Sequence, residues 1–248
     1  MTSDHHLVKI DSPLPEPERG IFETLLVLAG RPVELDLHMA RLERSLGELY
    51  DAAPPADARE LVLAAAAETE LGRLRFDVSP QDGNGVRVAD VDAALVFPSF
   101  GAALELHAVE VPGWNGAHKW ADRRLLEQAE AEAAGAMPLL LDGGTVLETS
   151  RGSVFAASGG VLSTPPLDGR ILPGVTRAVA IEAAREEGIE VREEELSLRW
   201  LLDADEVFTT GAVRGVEPVR ALRGMREWGE GELTRRVAAT LRARWLGG

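Results

Sequence analysis

The 248-residue chain contains no cysteine. A disulfide framework, a zinc–thiolate centre and a cysteine nucleophile are therefore excluded. Lysine is almost as scarce, for Lys9 and Lys119 stand in a basic set that is otherwise arginine. No apolar run approaches the ~20 residues that a membrane-spanning helix needs. Met1 to His6 lack the basic and apolar succession of a secretion signal, which points to a cytoplasmic protein. Surplus positive charge is missing too. A formal net charge of −15 argues against nucleic acid or an anionic membrane as partner. His38 and Arg41 share one helical face without further ligands at usable spacing, so no metal is expected.

What is present is ordinary for a soluble α/β protein: 45% hydrophobic and 27% charged residues. The length suits one large domain or two small ones. The apolar run Ile21–Leu28 reads as a buried strand, and Gly30-Arg31-Pro32 as a turn. Asp36 can cap a helix through His38, Arg41 and Leu42, and a second helix starts near Asp57. Arg73–Val78 and Val86–Val88 flank a turn as a hairpin, and a strand is expected over Leu104–Val111. Beyond Lys119 the pattern gives a helix from about Ala121, a strand at Met137–Leu141, and a single strand over Val146–Phe155. A helix opens at Val175 behind Pro173-Gly174, and another closes the chain at Leu233–Leu246. Two unequal α/β domains are expected. The smaller spans residues 1–112, a connector spans 113–117, and the larger spans 118–248.

Three pieces carry chemistry. Lys119 is an amine in a chain that otherwise uses arginine, and only lysine can form an imine with an aldehyde. A solvated surface lysine is the plainer alternative. At a helix start the dipole would also disfavour its ammonium form. Glu148 is a carboxylate inside an apolar strand, although alternation could also turn it outward. Pro173-Gly174-Val175-Thr176 puts free backbone N–H groups and a hydroxyl at a helix N-terminus, where anions bind. An amine, a buried acid and an anion cradle are what a pyridoxal 5'-phosphate enzyme requires. That cofactor is itself an anion in an acidic protein, so arginines near these pieces matter, Arg41 first among them.

The chain resembles the fold-type IV pyridoxal phosphate enzymes, a group holding the branched-chain and D-amino acid aminotransferases and aminodeoxychorismate lyase. The likeness runs through Gly20-Ile21-Phe22-Glu23-Thr24, Leu37–Leu42, His118-Lys119, Glu148–Phe155, Leu172–Arg177, Glu206–Phe208 and Gly215–Val219. It implies a small N-terminal α/β domain, a larger C-terminal one with a barrel-like sheet, and a homodimer. It makes Lys119 the Schiff-base lysine, Glu148 the partner of the pyridine nitrogen and Arg41 a phosphate ligand. Val175 and Thr176 would hold the phosphate, and Gly211 and Ala212 would add backbone donors.

Phe22-Glu23-Thr24 and His118-Lys119 followed by Asp122-Arg123 look most like aminodeoxychorismate lyases, which form 4-aminobenzoate and pyruvate for folate synthesis. Thr24 and Arg214 would then meet a small anionic substrate, Thr24 beside the reacting centre. The pattern is not complete. Ser153 replaces the usual asparagine, Leu26 a common arginine, and Ala212 a frequent serine or threonine, costing one hydrogen bond of ~1 kcal/mol. Glu105-Leu106-His107 stands where D-amino acid aminotransferases carry Arg-x-His, which weighs against the alternative, amino transfer to a 2-oxo acid. A cofactor-free scaffold is a further alternative, disfavoured by the presence of both Lys119 and Glu148.

Overall fold

A computed structural model describes residues 7–11, 13–80 and 82–247. Met1–His6, on which the cytoplasmic expectation rests, lie outside the described residues. In chain order the strands are β1 (Val8–Lys9), β2 (Ile21–Leu28), β3 (Arg31–Pro32), β4 (Leu71–Ser79), β5 (Gly83–Asp90), β6 (Leu104–Glu110), β7 (Met137–Asp142) and β8 (Thr145–Thr149). They continue as β9 (Ser153–Ser158), β10 (Val161–Thr164), β11 (Glu190–Glu193), β12 (Leu196–Ser197), β13 (Glu206–Gly211), β14 (Gly215–Leu222) and β15 (Arg226–Glu227). The helices are α1 (Leu35–Tyr50), α2 (Ala58–Ala67), α3 (Arg124–Glu132), α4 (Val175–Glu186), α5 (Leu198–Asp203) and α6 (Glu232–Gly247).

An antiparallel sheet in the order β3-β2-β4-β5 forms the first layer. Its central strand β2 is apolar on both faces because both are covered. Leu25 and Val27 join Leu42 and Leu46 of α1 and Val62 of α2 in one core cluster. Leu26 points the other way, into a second cluster with Phe155 and Phe208. At that position an arginine would meet hydrocarbon, so leucine is the residue the packing takes. Glu23 lies on the α1 side and is buried, a carboxylate that the packing must satisfy.

The remaining strands form one large sheet, ordered β11-β10-β9-β13-β14-β6-β7-β8-β12. A further pairing of Glu148 with Ser153 joins β8 to β9, so six strands, β9-β13-β14-β6-β7-β8, close into a barrel-like ring. This is the α/β architecture expected, with four corrections. The expected strand Val146–Phe155 is two strands, because Ser150-Arg151-Gly152 turns the chain back on itself. Periodicity missed the turn since apolar residues continue on both sides of it. The strand at Leu104–Glu110, expected in the N-terminal unit, pairs with β7 and β14, so the sheets change over between Asp90 and Leu104. The helix after Lys119 begins at Arg124, not Ala121, because Trp120 bridges to Ile21 and Ala121 N donates to Gly20 O. Helix α1 starts at Leu35 without a capping side chain, so Asp36 lies inside it.

Candidate active site

The lysine segment is stitched onto β2. Phe22 N donates to Lys119 O at 2.9 Å, and Ala121 N to Gly20 O at 3.0 Å. Buried Asp122 accepts Glu16 N at 3.1 Å and Arg124 Nε at 2.9 Å, which fixes the segment from behind. The Lys119 side chain is thereby carried over the Phe22 ring, with Nζ 4.7 Å from its centroid. Arg75 lies over the same ring, 3.6 Å from its centroid. Burial, and after it the positive charge of Arg41, pull the Lys119 amine down to about 7. The helix dipole expected to do this has no part, since α3 begins five residues later.

Glu148 ends in a buried carboxylate held at both oxygens. Trp114 Nε1 donates to Oε1 at 2.9 Å, and Leu172 N donates to Oε2 at 3.2 Å. Burial pushes its carboxyl up to about 7, against those two donors and the Lys119 charge. Gly116 packs so closely that a Cβ there would stand 2.5 Å from Oε1. The strand residue expected to face a ring nitrogen therefore faces inward.

The loop Leu172-Pro173-Gly174 ties three functional pieces together. Its first N–H holds Glu148, Pro173 O accepts Arg41 Nη1 at 3.1 Å, and Gly174 leads straight into α4 at Val175. Arg41 is positioned by β2: Nε and Nη2 donate to the two oxygens of Glu23 at 2.8 and 2.6 Å. His38 Nδ1 lies 2.7 Å from the same carboxylate. Arg41, in concert with His38, holds the Glu23 carboxyl down at about 2 despite its burial. In the sequence Glu23 stands out only as part of the Phe22-Glu23-Thr24 motif. A charged residue on the inward phase of an apolar strand was the signal that could have found it.

These groups line two adjoining chambers. The inner one is bounded by Arg41, Gly116, Lys119, Glu148, Val175, Thr176, Gly211 and Ala212, among others. Seven of the nine residues singled out from the sequence thus meet in one cavity. Thr24 and Arg214 do not; they line the outer chamber, a cavity of about 550 Å³. Phe22, Lys119, Arg123 and Thr210–Ala212 border both chambers. Arg214 is half-buried and ion-paired with Glu217. Two buried polar atoms of the inner chamber's wall, Arg177 Nε and Thr210 Oγ1, have no hydrogen-bond partner among the described residues.

A pyridoxal phosphate fits this donor set. There is an amine titrating near neutrality, a carboxylate held at a glycine-walled floor, and a helix N-terminus beside an arginine with unpaired polar atoms close by. Because only the neutral amine attacks an aldehyde, cofactor uptake by apoprotein is expected to accelerate as pH rises through about 7 and to level off above it. Stopped-flow absorbance across ~pH 5.5–10.5 measures this; a rate still climbing steeply above ~pH 9 would mean an unperturbed lysine.

The model of the amino-transferase class IV family matches residues 20–222. A 97-residue stretch is 42% identical to the branched-chain-amino-acid aminotransferase of Escherichia coli strain K12, covering 38% of this chain. The match spans 31% of that relative's length. Among solved structures, 4-amino-4-deoxychorismate lyase from Pseudomonas aeruginosa superimposes with a TM-score of 0.77 at 28% identity, over 93% of this chain and 94% of that one. The fold IV transaminase CpuTA1 from Curtobacterium pusillum gives 0.79 at 24% identity, over 96% and 91%, a likeness of fold.

Proposed function

The chain belongs to the amino-transferase class IV family, whose members depend on pyridoxal 5'-phosphate, and from that premise we propose that it converts 4-amino-4-deoxychorismate to 4-aminobenzoate and pyruvate. The observation that carries this reading is the outer chamber. Arg73, Arg75, Arg123, Arg151 and Arg214 line it beside Thr24 and Lys119. Two of its five acids are engaged with them, Glu130 with Arg123 and Arg151 and Glu217 with Arg214, while Asp90, Asp92 and Glu127 line it as well. A substrate with two carboxylates finds guanidinium partners on such a wall.

In this reading Lys119 carries the cofactor, Glu148 faces its ring nitrogen, and Arg41 with Val175 and Thr176 holds its phosphate. The bound cofactor supplies an electron sink. Lys119, its amine half neutral at pH 7, accepts the proton leaving the substrate's ring carbon, and Thr24 lines the same chamber. The ring carbon–oxygen bond to the enolpyruvyl group then breaks, leaving an aromatic product. The departing enolate takes up the proton and becomes pyruvate, so atoms and charge balance.

A second reading has its own support, since branched-chain aminotransferases stand among the curated relatives. Holoenzyme given aminodeoxychorismate is expected to release 4-aminobenzoate and pyruvate in equal amounts, read by fluorescence and a lactate dehydrogenase couple. Fast amino transfer from leucine or valine to 2-oxoglutarate, with no 4-aminobenzoate formed, would reverse the assignment.

A further inference from the structure

Ala212 offers no hydroxyl to the inner chamber, yet Thr210, two residues earlier, has one that no described residue uses. Thr210 is 3% exposed, it borders both chambers, and its Oγ1 has no hydrogen-bond partner among the described residues. The side chain cannot drift to find one, because its backbone is pinned on both sides. Thr210 pairs with Ser153 on β9 and with Val216 on β14. Its carbonyl also occupies the space that a Cβ on Gly152 would need. A buried donor without a partner is costly, and folded proteins retain few.

Its neighbours say what it awaits. Ser153, directly across the ladder, has its Oγ 2.7 Å from where a Cβ on Gly174 would stand, which puts Thr210 one strand away from the start of α4. That helix N-terminus is the anion cradle with Arg41 at its side. We propose that the Thr210 hydroxyl donates to the phosphate group of the cofactor and replaces the hydroxyl that Ala212 lacks. The inference rests on the reading that the inner chamber holds pyridoxal phosphate with its phosphate at α4.

Thr210→Val keeps the shape and removes the donor. Equilibrium titration of apoprotein, followed by cofactor absorbance, is expected to show pyridoxal phosphate binding ~10- to 100-fold more weakly, the range for a hydrogen bond to a charged group. Pyridoxal, which has no phosphate, is expected to bind the variant as it binds the wild type. Chemical denaturation of the apo variant is expected to show equal or greater stability, because an unsatisfied polar atom has gone. Thr210→Ser retains tight binding, and adding Ala212→Thr to Thr210→Val recovers it. Unchanged affinity for pyridoxal phosphate in Thr210→Val, or an equal loss for both aldehydes, overturns the proposal. Wild-type apoprotein that takes up neither aldehyde would instead remove the cofactor reading on which the proposal stands.

Discussion

Lys119→Ala is expected to lower turnover by at least ~10²–10⁴-fold, the range for loss of a positioned proton carrier, and to abolish the visible band near ~410–430 nm that marks cofactor held by the lysine. Two controls separate chemistry from collapse. Arg41, Thr176 and Glu148 are untouched by the substitution, so the variant should still bind the cofactor reversibly. Its apo form should also be no less stable than the wild type, because an amine buried at a cost has been removed.

The pH dependence of that stability gives an independent reading, and its sign follows from proton counts. Between about 7 and 10.5 the unfolded chain keeps a proton on Lys119 that the folded chain has released, so folded stability rises with pH in that window. Glu148 works the other way. Between 4.5 and about 7 the folded chain holds a proton that the unfolded chain has lost, so stability falls as pH rises. Together the pair gives the apoprotein a trough near pH 7. Lys119→Ala should erase the upper limb and Glu148→Gln the lower one. A wild-type-minus-variant difference that stays flat from pH 7 to 10 would mean that the amine is solvated, and the enzyme reading would lose its base.

Glu23→Ala is expected to cost about 3–5 kcal/mol of stability, the range for breaking a buried ion pair by removing one partner. It would strand the Arg41 guanidinium and His38 among Leu42, Leu25 and their neighbours. The wild-type contribution is present above the unfolded carboxyl's 4.5 and disappears as pH falls toward about 2, because the folded-state value is depressed. Urea denaturation at pH 7 and pH 3 tests both statements, the gap between wild type and variant being expected to narrow at the lower pH. Cofactor affinity should fall along with stability, since Glu23 fixes the guanidinium that stands at Pro173 and the start of α4. A loss within ~0.5 kcal/mol, as for an ordinary surface site, would show that Arg41 holds its place without the carboxylate.

Much of this site could be read from the chain alone. The scarcity of lysine isolated Lys119, the Pro-Gly step marked the N-terminus of α4, and the apolar phase of β2 identified a buried strand. Those signals are local: a residue type, a turn preference, a two-residue period. The single strand expected over 146–155 shows their limit, because a reversal at Ser150–Gly152 leaves the hydrophobic pattern on either side intact. So does β6, whose period says that it is a strand but not which sheet receives it. The perturbed amine, the acid clasped by Trp114 and Leu172, the Glu23–Arg41 pair and the division into two chambers come from segments that meet only when the barrel closes. Burial and Coulomb forces act through space, so the sequence determined which groups the protein has, and tertiary contact alone decided their charge, their partners and their direction.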